Sequence, residues 1–349
     1  MSKRLPLIAG AGAAVAVLVA GYFGLSAYSS SQAEKLIEDW VYEHELEDTL
    51  RWKSVSSSPF GGRVTISELK VEAGEREPSL QVAEVIISDR SINDERTRLR
   101  LRFNGVEADS HALGGLSSFG AMAGGGFGRS MATARGFEPA LISGLAELKP
   151  YDVEIYVDID DDAGTLETEL AVDLPELFDS RVSYRLSNLR DLNRKLQRLS
   201  ESFGGDGREQ RAFMSELGEL VSSVERAELQ SALFSVKDRG MAERSIALYQ
   251  RYNTPLNPTE GSAEKQRQAH YEKVVERTEK DCSREFKDLP KGMKDGCELL
   301  RKALLGKVSG MELKVEPKER VRLSDLGDLQ DGRRSKRLLD RLNPQLDSI

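Results

Sequence analysis

Hydrophobic residues in the first half of the chain recur at every second position, the period of a β-strand with one buried face. In the stretch RTRLRLRF, Leu99, Leu101 and Phe103 alternate with arginines. The same alternation, with a slip in the first two stretches, predicts strands at 64–71, 79–88, 151–159, 166–174 and 182–186. We therefore expect a meander of half-buried antiparallel strands.

From about residue 189 the apolar period becomes that of α-helices. It predicts helices at 189–202, 208–223, 238–252, 258–282 and 333–342, with strands at 227–236 and 311–315 between them. One further helix is predicted at 33–48. The expected fold class is α+β, with helices concentrated in the C-terminal half. We divide the chain into an anchor (1–30), a strand-rich region (31–190) and a helix-rich region (191–349), which completes the same domain or forms a second one.

The stretch at residues 5–28 contains no charged side chain and follows Lys3 and Arg4. About 20 apolar residues span a bilayer as a helix, whereas the apolar core of a signal peptide is shorter. The positive-inside rule places the N-terminus in the cytoplasm. We therefore expect a single-pass bacterial inner-membrane protein with its bulk in the periplasm. The alternative is a signal peptide cleaved after Ala33.

The remainder of the chain is polar, with 31% charged residues overall and a mean hydropathy of −0.44, so we expect no second span. The net charge of −8 argues against nucleic acid as a partner. Residues 104–137 are rich in glycine, alanine and serine, which predicts a long Gly-rich loop inside the strand-rich region.

The two cysteines, Cys282 and Cys297, flank a turn that contains Pro290 and Gly292. A helix is expected to end near residue 286 and another to begin near Asp295. In an oxidising compartment this spacing favours a disulfide that links a helical hairpin. Metal binding is the weaker alternative, because no histidine lies nearby to complete a four-ligand site.

Candidate chemistry is sparse elsewhere. Asp158, Asp160, Asp162 and Glu169 have the offsets of a calcium loop, but the flanking periods are those of strands, which favours a hairpin turn whose carboxylates can be exchanged at little cost. The arginines at 96–102 are expected to pair with acids on a neighbouring strand, or alternatively to meet anionic lipid. The three histidines belong to no catalytic motif, so we expect neither an enzyme nor a cofactor.

The stretches LRWKSVSSSPFGGRVTISELKVEAGEREPSLQVAEVIIS and FSVKDRGMAERSIALYQRY give the chain a family resemblance. Residues 1–105 resemble AsmA-like envelope proteins, and residues 225–252 resemble the related YdgA-like group. The resemblance rests on pattern and carries over no individual functional residue. It implies an antiparallel sheet curled into a groove whose apolar concave face holds or passes lipid.

We therefore expect lipid handling or envelope homeostasis, with the membrane, phospholipid and other envelope proteins as partners. The alternative is an anchored, non-catalytic scaffold or assembly factor, in which the same residues form a closed core. A groove and a core have the same strand pattern, so sequence cannot separate them. The candidate groove or core residues are Val64, Ile66, Val82, Leu99, Leu101, Phe103, Val153, Ile155 and Leu170.

The anchor leads to a first prediction. The protein should pellet with membranes and resist carbonate extraction, because 24 uncharged residues are enough to span the bilayer. A C-terminal reporter that is active only after export should be active. A soluble product that begins at Glu34 would show cleavage instead and would contradict retention of the anchor.

Overall fold

The computed structural model describes residues 30–349 except 44–46, 48, 59–61, 72–79, 94, 109–142, 146, 202–208, 260, 286–289, 294 and 331–333. The expected anchor at residues 5–28 and most of the Gly-rich segment at 104–137 lie outside the described residues. Among the described residues, no helix is both long and apolar enough to cross a membrane.

One antiparallel sheet of eleven strands organises the described chain. Its order is β1-β3-β4-β5-β6-β7-β8-β9-β10-β11, with β2 also paired to β3, so neighbours in the sheet are almost always neighbours in sequence. The strands are β1 (Leu50–Arg51), β2 (Ser54–Ser57), β3 (Val64–Val71), β4 (Leu80–Ile92), β5 (Arg96–Ala108), β6 (Tyr151–Asp160), β7 (Thr165–Leu174), β8 (Phe178–Ser187), β9 (Glu228–Asp238), β10 (Gly310–Val315) and β11 (Pro344–Ser348).

Six of the seven described α-helices follow β8, which confirms the α+β class and the concentration of helices in the C-terminal half. The helices are α1 (Ser30–Glu43), α2 (Leu192–Glu201), α3 (Glu209–Glu225), α4 (Met241–Asn253), α5 (Ala263–Glu285), α6 (Gly296–Leu304) and α7 (Arg334–Leu342). Two 3-10 helices cover Lys291–Met293 and Leu323–Gln330.

The strands predicted from alternation are all present, and the predicted helices match within a few residues at most ends. Three short strands, β1, β2 and β11, were not expected, because two to five residues carry too little alternation. The helix expected at 33–48 ends at Glu43, since the chain must already pair as β1 from Leu50.

Pairing in register builds a continuous apolar row across nine strands. Each member is the direct cross-strand partner of the next, so the row runs perpendicular to the strands on one face of the sheet. From β3 to β11 its members are Val64, Ile87, Leu101, Ile155, Leu170, Val182, Phe234, Leu313 and Leu346.

The expected slip in the alternation is confirmed and is shared by three strands. Glu68 in β3 adopts a positive φ of 51°, and Gly105 in β5 one of 62°. A Cβ on Gly105 would lie 3.0 Å from the Cβ of Ala83 in β4, so the three irregular positions lie side by side. Because the strands slip together, Leu69 still faces Val82 on the apolar side.

Two clusters of buried side chains cover the ends of the apolar face. In the first, Ile37 and Val41 of α1 pack with the apolar residues of β1–β6. In the second, Leu192 of α2 and Leu338 of α7 pack near the β6–β7 and β8–β9 connections. The helices thus cover this face at its ends.

Both sheet edges are short or covered, which limits pairing with another chain. At one edge, β3 is paired over only part of its length by β1 and β2, and α1 packs on β2. At the other, β11 begins with Pro344 and is contacted by the 3-10 helix Lys291–Met293. A Cβ on Gly292 would collide with the carbonyl oxygen of Pro344, so only glycine fits this approach.

A buried polar network attaches α2 to the sheet. The carboxylate of Asp161, in the β6–β7 turn, accepts the backbone N–H groups of Asn193 (2.8 Å) and Arg194 (3.3 Å). Asn193 is fully buried, accepts the Thr97 hydroxyl (2.7 Å) and donates to the carbonyl of Asn93 (2.8 Å). Asp161 therefore satisfies orphan N–H donors at the start of a helix, 32 and 33 positions away in sequence.

The network leads to a second prediction. Asp161→Ala should lower the free energy of unfolding by about 1–2 kcal/mol, the usual cost of losing a helix cap. Chemical denaturation would measure it. Asp162→Ala is the matched control, because Asp162 is the exposed next residue in the same turn, and its stability should not change. Equal losses in both variants would contradict the capping role.

Candidate functional site: a half-buried apolar row

Burial changes along the nine-strand row. Val64, Ile87 and Leu101 are buried, and Leu101 has no exposed surface. From β6 onward every member is only half-buried. We call these six residues the open row: Ile155, Leu170, Val182, Phe234, Leu313 and Leu346.

The open row has half-buried apolar neighbours on both sides. Toward one end of the strands lie Val172, Val236 and Met311, and toward the other lie Val157 and Tyr184. Of the six residues, Ile155 and Leu170 pack against the first core cluster, whereas the other four belong to neither cluster: Val182, Phe234, Leu313 and Leu346. The part of the open row in β8–β11 thus lies outside both core clusters, and exposed apolar patches of sufficient size are typical of ligand or partner sites.

All nine candidate groove or core residues predicted from the sequence lie on this same face. Val64, Ile66, Val82, Leu99, Leu101 and Val153 are buried in the first cluster. Phe103, Ile155 and Leu170 are half-buried and pack against it. The less covered positions farther along the face, in β8–β11, were not singled out from sequence.

The opposite face of the sheet is a ladder of ion pairs. Arg96 binds Asp158 through two hydrogen bonds of 2.9 and 2.7 Å, and Arg98 adds a third of 3.2 Å. In the next pair of residues along the strands, Arg100 and Arg102 both bind Glu154. The expected pairing of the arginine stripe with acids on a neighbouring strand is therefore confirmed.

These contacts shift the pKa values of the acids. Hydrogen bonds from Arg96 lower the pKa of the Asp158 carboxyl, although partial burial opposes them. Burial likewise opposes ionisation of Glu154, but hydrogen bonds from Arg100 and Arg102 outweigh it and lower the pKa of Glu154. The ladder thus holds both acids ionised at neutral pH.

The acidic stretch after β6 is a hairpin turn, as the strand period indicated. Asp158 lies in β6 and is held by arginines, and Asp160 accepts the backbone N–H of Ala163 at 2.8 Å. Gly164 supplies the positive φ that closes the turn. In the part of the chain that the structure describes, no group of three or more His, Cys, Asp or Glu side chains could hold a metal ion.

A separate polar cleft of about 450 Å³ lies between α2 and α3. It is lined by Lys195, which donates to the Ser223 hydroxyl at 2.7 Å, and by Arg226, which donates to the Ser222 hydroxyl at 2.6 Å. Glu219 lines the same cleft, so its charges are mixed and select no ligand charge.

The expected disulfide is confirmed. Cys282 in α5 and Cys297 in α6 are bonded, with their Cα atoms 5.8 Å apart. The helices are also joined by the Arg301–Glu279 ion pair (3.3 Å) and by the Tyr271 hydroxyl, which donates to the Leu304 carbonyl at 2.6 Å. We call α5 and α6, joined by this bond, the disulfide hairpin. Its helix α6 and the 3-10 helix Lys291–Met293 contact β11, the last strand of the open row.

No known family model matches the chain, and no curated protein matches it in sequence. The AsmA-like resemblance therefore stays a prediction.

The ion-pair ladder leads to a third prediction. Asp158→Asn should lower the free energy of unfolding at pH 7 by about 1–2 kcal/mol, because charged hydrogen bonds are lost while the arginines stay partly solvated. This revises the expectation that the turn carboxylates exchange at little cost. Folding lowers the pKa of Asp158, so the loss of stability in the variant should be present in full above the unfolded pKa, which is near 3.8. The loss should disappear as the pH falls through the folded pKa, because the wild-type carboxylate is then protonated.

Urea denaturation between neutral and acidic pH would measure this effect. Asp162→Asn, which changes the exposed acid of the same turn, is the control and should follow the wild type at every pH. A loss in Asp158→Asn that stays constant down to low pH would mean that shape, not charge, accounts for it.

Proposed function

We propose that this protein is anchored in a bacterial inner membrane by residues 5–28 and handles lipid in the periplasm. The open row forms the floor of a curled apolar groove that holds an acyl chain. The observation that carries the proposal is the change in burial along one row of this face: its members in β3–β5 are buried, whereas its six members in β6–β11 are half-buried.

The chemistry of the face supports an apolar occupant. The side chains of the open row are aliphatic or aromatic, and none carries a charge or a hydrogen-bonding group. Covering this surface is favourable by roughly 25 cal/mol for each Å² removed from water. In β5 and β6 the charged side chains lie on the opposite face, where Arg96 pairs with Asp158 and Arg102 pairs with Glu154.

The second candidate is an anchored scaffold or assembly factor, in which the open row is the contact surface for another envelope protein. The exposed Tyr252, in the last turn of α4, and the exposed Leu256, in the α4–α5 connection, favour a protein partner, because aromatic residues are enriched at interfaces. The two candidates differ in what occupies the open row, and an experiment can separate them.

The proposed function leads to a fourth prediction. Native mass spectrometry of the full chain extracted from membranes should detect bound phospholipid. Phe234→Asp should lower its occupancy at least about tenfold, because an unpaired charge beside an acyl chain costs more than 1.4 kcal/mol. Leu233→Asp is the matched control: Leu233 is adjacent on β9, is also half-buried and faces Lys314 on the opposite side.

Melting curves would verify that both variants fold, and Phe234→Ala offers a milder change at the same site. Retained lipid in Leu233→Asp together with its loss in Phe234→Asp supports the groove. If the wild type carries no lipid while another envelope protein co-purifies and is lost only in Phe234→Asp, the scaffold function is correct instead.

A further inference from the structure

The polar cleft between α2 and α3 has no part in the proposed function. Its volume is about 450 Å³, and none of its lining residues belongs to the open row. Two of these residues are cations, Lys195 and Arg226, and one is an acid, Glu219. Mixed charges select no net charge, but they fit a ligand that itself carries both signs.

The two cations are held by adjacent serine hydroxyls. Lys195 donates to Ser223 and Arg226 donates to Ser222, so both positive groups are anchored on neighbouring residues of α3. Within the residues that the structure describes, neither cation forms an ion pair with a carboxylate, although Glu219 lines the same cleft. An ammonium has three N–H donors and a guanidinium has five, so both cations keep donors for an anion.

Both cations also stand on backbone that is fixed in place. Lys195 follows two residues after Asn193, whose backbone N–H donates to the Asp161 carboxylate at 2.8 Å. The carbonyl of Arg226 accepts the side-chain amide of Asn188 at 3.2 Å. Binding an anion here therefore does not require the backbone to become ordered, which reduces the entropic cost of binding.

A glycine keeps the cleft open beside the acid. Gly218 lies in the interior of α3 and lines the cleft, next to Glu219. Glycine destabilises a helix interior relative to alanine. Close packing does not explain its presence, because a Cβ at this position would have no atom within 4 Å. The missing side chain instead leaves space in which a ligand can approach Glu219.

We infer that this cleft binds a phosphoethanolamine group, with the phosphate between Lys195 and Arg226 and the primary ammonium on Glu219. Glu219 precedes Ser223 by four residues, and one helical turn rises about 5.4 Å. Four bonds of about 1.5 Å separate the phosphorus from the nitrogen, so the extended group spans about 5 Å. This inference goes beyond the proposed function and does not rest on it.

Isothermal titration calorimetry of the full chain in a non-ionic detergent tests the site, with O-phosphoethanolamine as the probe. Inorganic phosphate and ethanolamine, the two halves of the probe, should each bind at least about tenfold more weakly, because each lacks one set of charged hydrogen bonds. Phosphocholine should also bind more weakly, because its quaternary nitrogen has no N–H to donate to Glu219.

Charge variants assign the two halves of the ligand. Glu219→Gln should reduce binding of phosphoethanolamine to the level of phosphate without weakening phosphate itself. Lys195→Met should weaken both probes at least about tenfold. Glu225→Gln is the matched control, because Glu225 is an exposed acid of the same helix outside the cleft, and this variant should bind as the wild type does.

A steric variant separates loss of the site from loss of the fold. Gly218→Leu should abolish binding, because its side chain fills the space beside Glu219. It should not lower the melting temperature, because leucine favours a helix and the position has room for a side chain.

The same group occurs free and as a lipid headgroup. Competition by dihexanoyl phosphatidylethanolamine, a water-soluble lipid, would identify the headgroup as the ligand, whereas binding of the free compound alone would identify a soluble one. The inference is overturned if phosphoethanolamine binds no more tightly than phosphate, or if Gly218→Leu and Lys195→Met bind it as the wild type does. Neither result bears on lipid in the open row, which Phe234→Asp tests separately.

Discussion

Antiparallel pairing in register is the constraint on which the rest of this structure depends. Side chains alternate between the two faces of a strand, so a one-residue error in any pairing would move a whole apolar set to the charged face. The chain contains such an irregularity in β3, β4 and β5, but the three strands are irregular at adjacent positions. The apolar row therefore continues from Val64 to Leu346 without a break.

The charged face enforces the same register. Arg96 reaches Asp158, and Arg102 reaches Glu154, only when β5 and β6 pair as they do. A shift by two residues would keep the apolar side chains on their face but would change these partners. Exposed ion pairs add little stability. Their arrangement here selects one register among the several that the apolar pattern permits.

Local pattern predicted most of this fold. Strands β3–β10 follow from alternation, and the disulfide hairpin follows from two cysteines on either side of a turn. The sequence did not predict which elements cover each part of the apolar face. Alternation shows which side chains share a face, but it does not show which helices or loops pack against that face. Thus Leu101 and Leu170 look alike in sequence, although one is fully buried and the other half-buried.

Long-range contacts between polar side chains gave no sequence signal. Thr97 and Asn193 are ordinary polar residues in sequence, yet their side chains meet in a buried hydrogen bond across 96 positions. Strand β11 was missed for a different reason: the stretch PQLDS contains one aliphatic residue, Leu346, and begins with proline. Its strand conformation is imposed by pairing with β10.

The sequential order of the sheet also affects how the molecule can be assembled. From β3 to β11 each strand pairs with the strand before it in the chain, so a growing sheet always presents the edge that the next strand requires. The helical insertions at 188–227, 239–309 and 316–343 lengthen three of these closures, but loop entropy rises only with the logarithm of length. During synthesis from the N-terminus, each strand from β4 onward therefore follows the strand with which it pairs.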